Sequence, residues 1–316
     1  MKSLKEPLKK VSSISIISPV YGAQGMINEL VNRISKAVEN ICEDYEIILV
    51  EDHSPDNSWL EMEVVSKQNI RVKSIKLSKN FGQHYAITAG LDIAKGDWIV
   101  VMDCDLQDKP EEIPNLLAKA LNGFDIVLAR RVERQDNFFI RLTSLIFYKI
   151  LSYLTGTTQD HTIANFGIYS KKVIDTIRAM REPIRYFPTM VKWVGFEKAF
   201  QDVSHGEREQ GSSGYNFNKR LKLAVDIMLA FSNKPLLLTV KLGLFISISS
   251  FLVSIMVFVF ALLGKYTVSG YASMMMSIWF LSGLIIFILG INGLYLSKVF
   301  DGVKNRPIYL IDKRVN

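Results

Sequence analysis

Two apolar runs near the C-terminus constrain this chain more than any other feature. From Leu236 to Leu263 the only charge is Lys241, and from Ala272 to Leu296 there is none. Each run exceeds the ~20 residues that cross a hydrocarbon core of ~30 Å, and core helices of soluble proteins rarely run so far without a charge. Both are expected to be transmembrane helices. The hydrophobic share of 49% and the mean hydropathy of +0.18 come chiefly from this part, after Pro235. The first two-thirds of the chain reads as an ordinary soluble mixture.

Charge around the runs sets an expected orientation. The connector from Gly264 to Tyr271 carries one lysine, Lys265. The outer flanks carry Arg220, Lys222 and Lys234 on one side and Lys298, Lys304, Arg306, Lys313 and Arg314 on the other. Positive flanks stay cytoplasmic, so the N-terminal part and the tail are expected inside and the connector outside, in a multi-pass protein of the inner (cytoplasmic) membrane. Two helices cannot line a transport pathway within one chain, so they read as an anchor. Residues 217–235, with Phe217, Lys219, Arg220 and Lys222, have the composition of an amphipathic helix at the headgroup plane. The stretch from Phe138 to Leu154 fits that reading and a core-facing helix equally.

The net charge of +7 favours anionic lipid or phosphorylated substrates. Nucleic acid is not an expected partner, because basic and aromatic residues do not interleave. The two cysteines, Cys42 and Cys104, lack metal-ligand spacing, which fits a reducing compartment. Lys9 and Lys10 precede a short apolar run from Ile14, but Ser18 and Pro19 follow at once, so it reads as a first buried strand and not as a leader.

Ahead of the anchor, apolar β-branched runs recur at Ile14–Ser18, Glu46–Val50, Val72–Leu77, Trp98–Met102 and Asp125–Ala129. Helix-length segments separate them: Met26–Asn40, Ser58–Gln68, Gln83–Ala94 and Glu111–Leu121. This alternation predicts an α/β, Rossmann-like, mostly parallel sheet, whose ligands bind beyond the carboxyl ends of the strands. Polar clusters fall there: Pro19 to Gly22, Glu51 to Ser54, and Asp103-Cys104-Asp105. No Gly-x-Gly-x-x-Gly or Walker loop occurs to cradle phosphate. Two carboxylates one residue apart, leaving a buried strand, can share a hard cation such as Mg2+ or Mn2+ and leave positions for phosphate oxygens. The plainer alternative is a solvated acidic turn.

Taken together these motifs resemble a family 2 glycosyltransferase of the GT-A fold, close to the polyprenyl-phosphate (bactoprenol or dolichol-phosphate) glycosyltransferases. The resemblance rests on Ser18-Pro19-Val20-Tyr21, on Glu51-Asp52-His53-Ser54-Pro55-Asp56, and on Ser78-Lys79-Asn80-Phe81-Gly82. It continues through Met102 to Asp108, Arg208 to Tyr215, and the tail from Gly290 to Tyr309. It implies a nucleotide-sugar donor, with UDP and inversion suggested, and service in cell-envelope glycan or O-antigen assembly or modification. By this likeness Pro19, Tyr21 and Asp52 hold the nucleoside and Asp103 the ribose side, with Gln107 on the donor. Asp105 is the main metal ligand, beside Asp103, and takes part in catalysis. Arg208 meets the diphosphate or an acceptor phosphate. Tyr21 could instead simply pack, and Arg208 could pair with Glu207 or Glu209.

One position departs from the pattern. Lipid-phosphate members carry Asp-Phe-Arg in the acceptor region, where this chain has Asn165-Phe166-Gly167. Asp160, beside His161, is the substitute candidate for a catalytic carboxylate. A lipid phosphate is already ionised near neutrality, its second pKa being about 6, and needs little base; a sugar hydroxyl needs one. The missing acid and guanidinium thus weaken the case for a polyprenyl phosphate without excluding it; the anchor helices and the Arg306-Pro307 tail, which resemble that subgroup, make it the expected acceptor, with a lipid-linked saccharide as alternative. The Gln-x-x-Arg-Trp signature of processive synthases is absent. A reading of another class is an inactive membrane scaffold that binds nucleotide-sugar. Membrane lipid is an expected partner, and a second copy of the chain an optional one. The expected division is a cytoplasmic GT-A domain over 1–216, an interfacial helix over 217–235, two transmembrane helices over 236–297 and a basic cytoplasmic tail over 298–316.

Overall fold

The computed structural model describes residues 10–131, 163–203, 232, 234–263 and 270–316. They form eight strands: β1 (Val11–Val20), β2 (Cys42–Glu51), β3 (Val72–Leu77), β4 (Trp98–Val101), β5 (Ile126–Arg131), β6 (Ile163–Ser170), β7 (Lys198–Val203) and β8 (Ile311–Val315). Six helices accompany the sheet or precede its edge: α1 (Ile27–Val38), α2 (Ser58–Gln68), α3 (Gln83–Ile93), α4 (Ile113–Ala120), α5 (Lys171–Ala179) and α6 (Phe187–Trp193). Two long ones follow, α7 (Lys234–Leu262) and α8 (Tyr271–Val303).

All eight strands join one sheet in the order β7-β5-β6-β4-β1-β2-β3-β8. The four central strands β4, β1, β2 and β3 run parallel, as the alternating pattern predicts. From Ile14 to Val20 every residue of β1 is buried, because helices cover both faces of a parallel sheet. On one face α1 buries Ile27, Leu30, Val31, Ile34 and Val38, the spacing of an amphipathic helix. Each such side chain contributes roughly 1.5–3 kcal/mol when buried. Pro110 opens a short 3-10 turn that runs into α4.

Beyond β4 the sheet changes character. The fifth apolar run, β5, does not follow β4 directly, because β6 lies between them, antiparallel to both. Asn165-Phe166-Gly167 sits inside β6. Phe166 is buried, and a Cβ on Gly167 would meet Tyr169 Oη at 2.8 Å and the Val127 carbonyl at 3.0 Å. A side chain at this position would press on both neighbours, so glycine is the residue accommodated without a shift of either.

The basic tail supplies a further strand. β8 pairs antiparallel with β3, and the Asn316 side chain donates to the Val72 carbonyl at 3.0 Å. The chain divides into two compact units, one with the sheet and residues from Pro307 onward, the other with α7 and α8. In the second unit, Lys234–Val253 and Ser277–Val303 are long and apolar enough to cross a membrane, with mean hydropathies of 2.1 and 2.0. Their large side chains face outward: Phe245 is 69% and Trp279 79% exposed. Tyr295 of α8 donates to the Ser232 carbonyl at 2.8 Å. The stretches Phe138–Leu154 and 217–231 lie outside the described residues.

Candidate active site

The carboxyl ends of β2, β1 and β4 lie side by side, so the three polar clusters become neighbours. At the end of β1, Pro19 is buried and pairs in register with Val50, while Tyr21 is 55% exposed. The amides after it are stitched to the second cluster. Gly22 N donates to Ser54 Oγ at 2.7 Å, Ala23 N to Ser58 Oγ at 3.1 Å, Gln24 N to Asp56 Oδ2 at 3.1 Å and Gly25 N to Glu61 Oε2 at 2.7 Å. Ser54, Asp56 and Ser58 thus build the loop. Burial would raise the Asp56 carboxyl, but hydrogen bonds from Ser58, Ser54 and the Gln24 amide outweigh it and hold it below the usual range.

Glu51 and Asp52 end β2, both buried. Asp52 accepts from Phe81 N at 2.7 Å and Gly82 N at 2.8 Å; burial still pushes its carboxyl up against those two amides. Glu51 Oε1 accepts from Ser54 N, whereas Glu51 Oε2 is buried without a hydrogen-bond partner among the described residues. A buried carboxylate oxygen calls for a donor. His53 follows with φ 53°.

The acidic turn leaves β4 through Met102, whose amide donates to Ile17 O at 3.1 Å. Asp103 Oδ1 accepts from Gln83 Nε2 at 2.6 Å, and Asp105 Oδ1 from the Gln107 amide at 3.3 Å. Both aspartates are half-buried. Between them the Cys104 thiol is buried against the Tyr21 amide, and burial pushes it up to about 12, so it is inert. Leu106 is buried with φ 58°. A left-handed leucine is strained, and such strain gathers at functional turns. Arg33 on α1 braces the following helix through Glu111, at 2.8 and 2.9 Å.

The structure therefore brings together Pro19, Tyr21, Asp52, Asp103, Asp105 and Gln107. Asp160 and Arg208 lie outside the described residues. No group of three or more His, Cys, Asp or Glu able to hold a metal occurs among the described residues. The pair Asp103 and Asp105 fits a hard cation that takes its remaining oxygens from water and phosphate. The antiparallel register pairs Val101, the last residue of β4, with Gly167, and Asn165 lies two residues further towards the start of β6. The acceptor-region position thus belongs to the same end of the sheet. Sequence reasoning missed Glu51, the first acid of its motif, and Gln83, which stands next to the motif ending at Gly82.

Residues 15–178, just over half the chain, match the family model described as glycosyl transferase family 2. YkcC of Bacillus subtilis (strain 168), described as an uncharacterized glycosyltransferase, is 35% identical over 300 residues, covering 95% of this chain and 93% of its own. The undecaprenyl-phosphate 4-deoxy-4-formamido-L-arabinose transferase of Proteus mirabilis (strain HI4320) is 31% identical over 310 residues, 97% of this chain and 95% of its own. Among solved structures, glucosyl-3-phosphoglycerate synthase from Mycobacterium tuberculosis, in complex with Mn2+, UDP-glucose and phosphoglyceric acid, aligns with a TM-score of 0.51 at 15% identity. That alignment covers 69% of this chain and 78% of the synthase; it shows a common fold. The chain belongs to glycosyl transferase family 2 and has its GT-A fold.

Proposed function

We propose that this protein transfers a sugar from a nucleotide-sugar donor, UDP-linked, to a polyprenyl phosphate at the cytoplasmic face of the membrane. The observation that carries the reading is the acidic turn Asp103-Cys104-Asp105 at the end of β4, beside the buried acids of β2, in a chain that also carries two helices long and apolar enough to cross a membrane. The relative that acts on undecaprenyl phosphate covers both parts.

In this reading Glu51 and Asp52 face the nucleoside, and the free need of Glu51 Oε2 is met by an N–H of the base. Tyr21, exposed at the rim, offers its ring to the base. Asp103 and Asp105 hold Mg2+ or Mn2+, which when bound neutralises charge on the departing diphosphate. The mycobacterial synthase, which shares the fold, is itself a Mn2+ complex, in keeping with a divalent cation here. Asn165, at the same end of the sheet, supplies no carboxylate, which an acceptor that arrives ionised can do without. A phosphate oxygen of the acceptor attacks the anomeric carbon, the sugar–oxygen bond breaks, and the nucleoside diphosphate leaves with the bonding pair. Arg208 is assigned to phosphate on either side of this exchange, and Asp160 to a supporting carboxylate.

The orientation has its own support. β8 follows α8 and belongs to the same sheet as β1, so the segment with the two long helices is joined to the sheet domain at both ends. The positive residues flanking both helices favour the cytoplasmic side for both of those ends. At ~1.5 Å per residue, the 27 residues of Ser277–Val303 span about 40 Å, enough for a ~30 Å core.

Membranes containing the protein, given labelled nucleotide sugars, should move label into an organic-extractable product that mild acid releases. Label that enters only an acid-stable saccharide would replace the phosphate acceptor with a sugar hydroxyl.

A further inference from the structure

Three consecutive residues span the two acidic loops. Phe81 N and Gly82 N donate to the two oxygens of Asp52 at 2.7 and 2.8 Å, and Gln83 Nε2 donates to Asp103 Oδ1 at 2.6 Å. Asp52 follows β2 and Asp103 follows β4, with β1 between them. The two acids therefore stand on strands two spacings apart, about 10 Å, and the 81–83 segment crosses that gap. Gly82 makes the crossing feasible: its φ of 104° is a conformation that a side chain disfavours. Gln83 is the first residue of α3, so its side chain is held at a fixed point on a rigid element.

We propose that Gln83 is a positioning residue that fixes the Asp103 carboxylate for a divalent cation. Through Gly82 and Phe81 it also ties binding of that cation to the nucleoside side of the site at Asp52. The proposal rests on the donor site assigned above. A neutral amide suits the task, because it orients a carboxylate without cancelling the charge a cation needs. Lysine would compete with the cation, and glutamate would repel Asp103. Movement of Asp52 towards a nucleoside shifts the amides of Phe81 and Gly82, and with them the anchor of Gln83. By linkage the effect runs equally in reverse.

Uridine separates this path from direct ligation. It lacks the diphosphate and cannot reach the cation through phosphate oxygens, so mutual tightening between uridine and Mn2+ must run through the protein. In the full chain in detergent, saturating Mn2+ is expected to tighten uridine roughly fivefold or more, and uridine to tighten Mn2+ by the same factor. Gln83→Leu should weaken Mn2+, read by EPR of the free ion, about tenfold, as for loss of a hydrogen bond to a charged group. It should also bring the mutual factor to about one with little change in Tm. Gln83→Glu should weaken Mn2+ further. Asp92→Asn, at the far end of α3, is the comparator for simple loosening of that helix: it should lower Tm and keep the mutual factor. Independent binding of uridine and Mn2+ in the wild type overturns the proposal, as does wild-type Mn2+ affinity in Gln83→Leu. Equal loss of coupling in Asp92→Asn also overturns it. In each of these cases UDP binding would still leave the donor site standing. A protein that binds neither UDP nor uridine overturns the donor site itself, and this proposal with it.

Discussion

Tyr309, a few residues past the second long helix, donates its phenol to Asp92 Oδ2 at 2.8 Å, and the same carboxylate takes both Nη1 and Nη2 of Arg181 at 2.9 Å. Asp92 lies on α3, the helix that begins at Gln83. The tail is thus bound twice to the catalytic unit, by this bond and by β8 on the free edge of β3. Tyr309→Phe should cost about 1 kcal/mol, as for one hydrogen bond. Removal of residues 307–316 should cost more and promote aggregation, because an open edge strand recruits other chains. Thermal melts with light scattering in detergent check both; a truncated protein with the wild-type Tm would contradict the role of the tail.

A second prediction concerns acid. Burial pushes His84 down to about 4, with its ring edge-on to Tyr186 at 4.6 Å. A folded-state value below the usual 6.5 means the unfolded chain binds the proton first. Stability from this site is therefore full above about pH 6.5 and lost as pH falls towards 4, on the order of 1–3 kcal/mol. His84→Gln should flatten Tm across that window. An unchanged slope would remove the assignment.

Position 167 tests the departure in β6. Gly167→Arg should lower stability by about 1–3 kcal/mol or more through overpacking against Val127 and Tyr169. Asn165→Asp, in contrast, should fold normally. It should not raise turnover with a polyprenyl phosphate, whereas a hydroxyl acceptor should gain, up to the ~10²-fold of an added base. A large gain with the phosphate acceptor would count against an ionised nucleophile.

The sequence carried the central sheet well. β3 and α2 have the bounds read from the chain: β3 sets Val72, Ile75 and Leu77 in the core, and α2 starts at Ser58, two residues past Asp56. β6 was read as an acceptor motif and not as a strand, because its place between β4 and β5 is decided by pairing. β8, Ile-Asp-Lys-Arg-Val, has little strand character of its own and takes it from the edge of β3. The acids of the site were legible as residue types leaving strands. The partner of Asp103 was not, because Gln83 reaches it from a different loop, and no local pattern records that crossing.

Topology gives a fourth prediction. Native Cys42 and Cys104 are both buried, so a single Gly270→Cys reports cleanly. An impermeant maleimide should label it from outside intact cells, and a cysteine added after Asn316 should stay protected until the membrane is opened. Labelling of the tail from outside would reverse the orientation.

The central claim is that the Asp103-Cys104-Asp105 turn drives cation-dependent transfer to a lipid phosphate. Its most direct test is transfer of labelled sugar from UDP-sugars to polyprenyl phosphate by purified wild-type and Asp105→Asn proteins, with Mn2+ or with EDTA. The account predicts label in lipid for the wild type with Mn2+. It predicts a loss on the order of several kcal/mol of transition-state stabilisation, effectively no product, in EDTA and in a folded Asp105→Asn. Undiminished transfer by Asp105→Asn, or by the wild type in EDTA, would contradict it.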